Sequence, residues 1–152
     1  MSLTTAQNTT LQTDINAQGS LVIARAAHDA PAVANFYNAL SATAIWRSDL
    51  TNSQVVAACV MTEVVALNTT AGAQLAFQTL IHPPIVDATS ANVRAAFSTL
   101  FSGKTTLTNL TAVAQRLGTR LEVLLGAGGP PAVSQVFGYL LQPADVAIAM
   151  GW

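Results

Sequence analysis

Apolar side chains return every three or four residues along most of this chain, which predicts a series of short helices separated by polar or Gly/Pro breaks. Residues 3–17 follow a candidate cap at Thr4 or Thr5, with only Leu11 and Ile15 on an apolar stripe, so this first helix is mostly polar. Gly19–Ser20 interrupts it, and 21–27 reads as a short second helix. Asp29-Ala-Pro31 is suited to start a third through about Ala39, with Val33, Phe36, Tyr37 and Leu40 on its apolar side. Residues 41–50 lack that spacing and read as an extended or irregular link carrying Trp46.

The next helix spans about 52–67, capped by Thr51, Asn52 or Ser53. Val56, Cys59, Val60, Val64 and Leu67 form one face, and Val55, Met61 and Val65 make the opposite side apolar too. A helix apolar on nearly all sides belongs in a core or an interface. A shorter helix follows over 71–81 and ends at Pro83–Pro84. Another runs from a cap within 87–90 to Phe101, with Val93, Phe97, Leu100 and Phe101 inward. The clearest periodicity lies in 105–125, where Leu107, Leu110, Ala114, Leu117, Leu121 and Leu124 predict one long helix with a packing seam.

After Leu125 the pattern changes. Residues 126–131, Gly-Ala-Gly-Gly-Pro-Pro, cannot continue a helix. The segment 133–141 is rich in strand formers, and Pro143-Ala-Asp145 is suited to start a last helical turn. The expected fold is mainly α, a single helical bundle domain with an extended C-terminal arm or short β element. Its expected parts are a body over 1–125, a linker over 126–132 and an arm over 133–152. The 133–141 segment has two readings, a strand on the same domain or an arm that adds to a neighbouring chain.

Composition sharpens this picture. Only 9% of the 152 residues are charged, where ordinary soluble domains carry about 25%. Polarity comes instead from 18 threonines and from amides, and 28 alanines favour close helix packing. A chain this poor in charge is expected to cover much of its surface with other chains. The net charge of −1 offers no basic field for nucleic acid. The charge-free stretches 64–86 and 123–144 are broken by Pro83–Pro84 and by the Gly/Pro run, so neither is a membrane span. The N-terminus lacks the basic and apolar regions of a signal peptide.

Candidate chemistry is sparse. Ser102-Gly103-Lys104-Thr105-Thr106 resembles the end of a phosphate-binding loop, but Ser98 stands where the first glycine belongs. In the 126–131 run, Pro131 takes the place of the third glycine of a dinucleotide loop. His28 and His82 have no neighbours at metal-ligand spacing, and His28 reads as a residue at a helix end. The seven carboxylates are scattered, with no reason to converge for acid–base catalysis, and G-x-S-x-G is absent. Cys59, the single cysteine, reads as a small buried hydrophobe. No catalytic residue, cofactor or metal is therefore expected. Glu63, in a very apolar helix, should seek a cation or an amide, most simply an arginine. Arg116 and Arg120 are either a solvated ridge or a contact for a partner's carboxylate or phosphate. With Val136, Phe137, Tyr139, Leu140, Leu141 and Trp152 they make up the expected interface.

Several segments carry a resemblance. Ala34-Asn-Phe-Tyr-Asn38 followed by Ala42-Thr-Ala-Ile-Trp46-Arg47 is similar to a family of small structural proteins of tailed bacteriophages, encoded among head and tail genes. Ala91-Asn-Val-Arg94 with Phe97, Arg116 to Glu122 (RLGTRLE), Val136-Phe-Gly138 and Pro143-Ala-Asp145-Val146 follow in that family's order. The departures are a 52–67 helix without aromatics and Gly118 in place of a commoner Ala. The resemblance implies a virion protein without catalytic activity, most specifically a head-to-tail adaptor. Such a protein would form a homo-oligomeric ring, typically a dodecamer, between the portal protein and tail proteins at the head–tail junction. It would assemble in the host cytoplasm, and its channel would make passive contact with DNA. Tail terminator, stopper, tail tube and capsid decoration are the alternative virion roles.

Overall fold

Three Thr-x-x-Gln/Glu tetrads set helix starts along this chain, at Thr4/Gln7, Thr51/Gln54 and Thr119/Glu122. In each, the threonine hydroxyl accepts the amide three residues on, while the Gln or Glu side chain accepts the threonine amide. The computed structural model describes residues 2–70, 72–127 and 131–152. In chain order the elements are α1 (Thr5–Ala17), α2 (Val22–Ala26), α3 (Ala30–Asn38), β1 (Leu40–Trp46), β2 (Leu50–Thr51), α4 (Asn52–Ala58), α5 (Met61–Ala66), α6 (Ala73–Ile81), β3 (Ile85–Val86), α7 (Ala91–Leu100), α8 (Thr105–Val113), β4 (Gln115–Thr119), α9 (Arg120–Leu124), β5 (Gly126–Ala127), β6 (Val133–Ser134) and α10 (Pro143–Met150). The fold is mainly helical with a few short antiparallel strands, as the periodicity predicts. Among the described residues no helix is long and apolar enough to cross a membrane.

The chain divides into two units, and the division does not fall at 125/126. Unit 1 combines residues 1–45 with 117–152, and unit 2 is the intervening 46–116. The chain leaves unit 1 along β1 and returns along β4, and these strands pair. The flanking bonds, Arg120 N to Ala39 O and Arg47 N to Ala114 O, show that they run antiparallel.

Unit 1 packs α1, α3, α9 and α10 around Leu11, Ile15, Val33, Tyr37, Leu121, Val136, Leu141 and Val146. Each such side chain contributes about 1.5–3 kcal/mol by leaving water. The expected separate arm is part of this core, because Val136 and Leu141 are only 1% exposed and Val146 is fully buried. Its strand content is limited to the ladder in which Gly126 faces Ser134 and Ala127 faces Val133. Of the expected linker, Gly128, Gly129 and Pro130 lie outside the described residues.

Unit 2 packs α4 to α8 around Val55, Phe77, Phe97, Phe101 and Leu110, with Phe77 edge-on to Phe101 at 5.6 Å. Leu50 faces Val86 and Thr51 faces Ile85 in its antiparallel ladder. Ala71, the expected first residue of the 71–81 helix, lies outside the described residues.

Two expected helices are broken, each for a visible reason. The 52–67 helix stops at Cys59, whose backbone is extended, and resumes as α5. Three polar groups from or to α8 hold the break: Asn109 donates to Ala58 O, Val60 N donates to the Thr106 hydroxyl, and Glu63 accepts from Thr105 N and Thr106 N. The 105–125 helix is instead α8, β4 and α9. Its leucine seam serves two cores, Leu110 in unit 2 and Leu121 in unit 1, and Leu117 between them is exposed. Gly118 is buried so tightly that an added Cβ would stand 2.8 Å from Ile45 Cγ2.

Candidate functional site

The candidate site lies in unit 1, where α1, α3, β1 and α9 present polar groups to one open pocket of about 340 Å³. It is lined by Asp14, Gln18, Phe36, Tyr37, Ser41, Arg120, Val123 and Leu124. Local rules place most of these groups. Asp14 stands one residue before the buried Ile15 and so borders the core face of α1, with Gln18 one turn on donating to its carboxylate at 3.2 Å. Phe36 and Tyr37 follow from α3, started by Asp29 accepting Ala32 N and by Pro31 in its first turn. Arg120 is the first residue of α9, fixed by the Thr119/Glu122 box.

The Tyr37 hydroxyl donates to Asp14 Oδ2 at 2.5 Å. Burial first, and then this bond to a carboxylate, push the Tyr37 hydroxyl well above its ordinary value, so it remains a donor. The Arg120 guanidinium lies 4.0 Å from the centre of the Phe36 ring and donates to Phe36 O at 3.2 Å. Stacking and hydrogen bond together hold an exposed planar cation in one place.

Behind Arg120 sits Glu122, a fully buried carboxylate. It accepts Thr119 N at 2.9 Å and Gly138 N at 2.6 Å, which fastens the segment after β6 to α9. The sequence pattern T-x-x-E marks this residue, but inside an expected long helix the signal is hidden.

The expected interface residues fall into different environments. Val136 and Leu141 are buried within their own unit, so they present no surface to a partner. Tyr139 donates to Asp145, and burial followed by that bond pushes its hydroxyl up to about 12. Leu140 is 57% exposed. Phe137 is half-buried, and Trp152 stacks on His28. Arg116 is half-buried in unit 2, where its charge helps hold Asp49 low behind the larger effect of the Arg47 bond. Arg120 lines the open pocket in unit 1. Comparison with protein-family models, curated proteins and solved structures gave no match.

In unit 2, a small apolar pocket of about 50 Å³ lies among Trp46, Leu50, Phe97, Leu107 and Leu110, with Arg94 stacked over Trp46 at 4.8 Å. That volume is about a third of the roughly 150 Å³ of an apolar cavity that admits benzene. The start of α8, after Gly103-Lys104, is occupied by Glu63, whose carboxylate takes the amides a phosphate would need. Glu63 therefore finds amides and not the expected arginine. Burial pushes the Cys59 thiol up, and Cys59 is half-buried. Among the described residues no group of three or more His, Cys, Asp or Glu is placed to hold a metal. The arrangement at Arg120 suits binding: it combines a fixed cation, a held carboxylate, an amide and a hydroxyl.

Proposed function

We propose that this chain is a structural subunit of a tailed-bacteriophage particle, a head-to-tail adaptor that assembles as a ring between portal and tail. The observation that carries this reading is the order and spacing of the segments that resemble that family, from Ala34 to Val146. The positions within them are structural fasteners in this chain. Tyr37 binds Asp14, Asn38 clasps Leu141, Arg94 covers Trp46, Glu122 holds Gly138, and Asp145 holds Tyr139. A pattern made of such residues carries a fold with it.

The surface supports the same reading. Both units leave large aliphatic side chains in water: Ile23 at 84% and Ile148 at 70% in unit 1, and Leu75 at 68% and Val65 at 61% in unit 2. Such side chains, on a chain with so little charge, suit contacts with several neighbours. A ring subunit has two unlike flanks, each covered by the next copy, and such heterologous contacts close when the rotation allows.

Electron microscopy of the purified chain with its portal protein tests this. Closed rings seated on the portal are expected. A chain that stays strictly monomeric at high concentration with portal present overturns the reading.

A further inference from the structure

We infer that the Arg120 pocket is a docking point for one acidic side chain of a different protein, which in the adaptor reading is a portal or tail neighbour. The inference begins from the use of charge in the chain. All seven carboxylates already accept hydrogen bonds within it. Asp14 accepts from Tyr37 and Gln18, Asp29 from Ala32 N, and Asp49 from Arg47. Glu63 accepts from Thr105 N and Thr106 N, Asp87 from Thr89, Glu122 from Thr119 N and Gly138 N, and Asp145 from Tyr139 and Gln142 N. They cap helices and hold hydroxyls, so a carboxylate of a second copy would share its oxygens with bonds it already makes, whereas an acidic side chain of a different protein brings them unshared.

Arg120 is the opposite case. A guanidinium has five N–H donors, and its hydrogen bond among the described residues goes to a carbonyl, Phe36 O. The Phe36 ring beneath it removes much of the rotamer freedom an arginine loses on binding. Arg120 lines an open pocket to which Ser41 and Gln18 also contribute. A planar fork held in place fits a carboxylate with two parallel hydrogen bonds.

The same pocket disfavours nucleic acid. Arg120 is the one cation among its lining residues, and Asp14 lines the same pocket. A phosphate chain needs several cations in a row, and Asp14 repels its successive charges. A single carboxylate on a polypeptide meets Arg120 while its neighbouring backbone amides find Asp14 and Ser41 as acceptors. Asp14 opposes every anion in the pocket, but it opposes one carboxylate less than a run of phosphates, and it offers the flanking amides an acceptor.

The test is an NMR titration of the isotope-labelled full chain with acetylated Gly-Glu-Ser-Glu-Gly amide and with its Gln counterpart. Shifts at the Arg120 side chain, Ser41 and Gln18 are expected, with the Gln peptide about tenfold weaker. R120Q should bind both peptides at that lower level, and R120K should fall between, because lysine lacks the planar fork. Ser41→Trp, which fills the pocket and leaves Arg120 in place, should also remove binding and serves if R120Q fails to fold. Equal binding of the two peptides, unchanged shifts in R120Q, or tighter binding of an oligothymidylate of equal charge overturns the inference. Self-association of R120Q, by mass photometry, should match the unsubstituted chain; its loss overturns the assignment to a different protein. A chain that forms no ring but prefers the Glu peptide through Arg120 overturns the adaptor reading and supports the carboxylate site. A ring-forming chain without that preference does the reverse.

Discussion

The His28 imidazole stacks on the Trp152 indole, with ring centroids 5.0 Å apart and planes 16° from parallel. His28 is also, among the described residues, the non-glycine residue with a left-handed backbone, at φ +50°. It stands just past the end of α2, where Asp29 N bonds Ala24 O at 2.8 Å and His28 N bonds Arg25 O at 3.1 Å. This pair of bonds is the Schellman ending, whose left-handed position is usually glycine. A side chain there costs about 1–2 kcal/mol, which the stack of about 0.5–1.5 kcal/mol largely offsets.

A double-mutant cycle should separate the two effects. His28→Gly should leave stability within about 1 kcal/mol of the starting chain, since relief of the backbone and loss of the stack oppose each other. In a Trp152→Ala background the same change should stabilise by about 1 kcal/mol, because no stack remains to lose. Urea denaturation of the four proteins measures the coupling. Equal effects of His28→Gly in both backgrounds would show that the stack carries no energy.

Asn38 holds the chain around Leu141 in both directions: its amide donates to Leu141 O at 2.9 Å and its carbonyl accepts Leu141 N at 2.8 Å. Asn38→Ala leaves both partly buried backbone groups without their partner and should cost about 2–3 kcal/mol. Faster hydrogen exchange at the Leu141 amide should accompany the loss. Unchanged protection there would mean that the segment is held by its apolar contacts alone.

Gly118→Ala tests the close approach in unit 1. The new methyl meets Ile45 Cγ2 at 2.8 Å and Val123 Cγ2 at 3.2 Å, both side-chain atoms. Overpacking of this kind should cost about 1–3 kcal/mol. Gly126→Ala should cost at least as much, since its Cβ meets Glu122 O at 3.1 Å and Val123 O at 3.2 Å, where backbone must move. Thermal denaturation ranks the two.

Glu63 gives unit 2 an acid-sensitive fastening. The Thr106 hydroxyl first, then the Thr106 amide, hold its carboxyl below the ordinary 4.5. A carboxylate with a lowered folded value stabilises above its unfolded value, and that contribution fades as pH falls through the folded one. Urea midpoints should therefore drop below about pH 4.5. Glu63→Gln should be less stable at neutral pH and show a shallower fall on acidification. A fall identical in both proteins would assign the acid sensitivity to other carboxylates.

Much of the helical content was legible in the chain, and the reasons are local. The caps at Thr4, Thr51, Asp29 and Ser90 and the Pro31 start depend on groups within four residues, and each stands where the pattern places it. The two broken helices were not legible. Leu110 and Leu121 share one periodicity yet enter different cores. Only the Thr119-x-x-Glu122 tetrad marks the restart of helix between them, and it is hidden inside a longer apolar repeat.

The candidate site shows the same limit more sharply. Arginine at 120 and its chemistry are sequence facts, but Phe36 stands 84 positions away and Asp14 is a further 22 earlier. By itself the sequence determined where helices begin, which stripes are apolar and how little charge covers them, because those energies arise between near neighbours on one segment. Tertiary structure alone decided that 46–116 is a separate unit, that Val136 and Leu141 fill their own core, and that Arg120 meets Phe36. Those outcomes depend on burial and on partners some 80 to 100 residues apart, for which no local pattern codes.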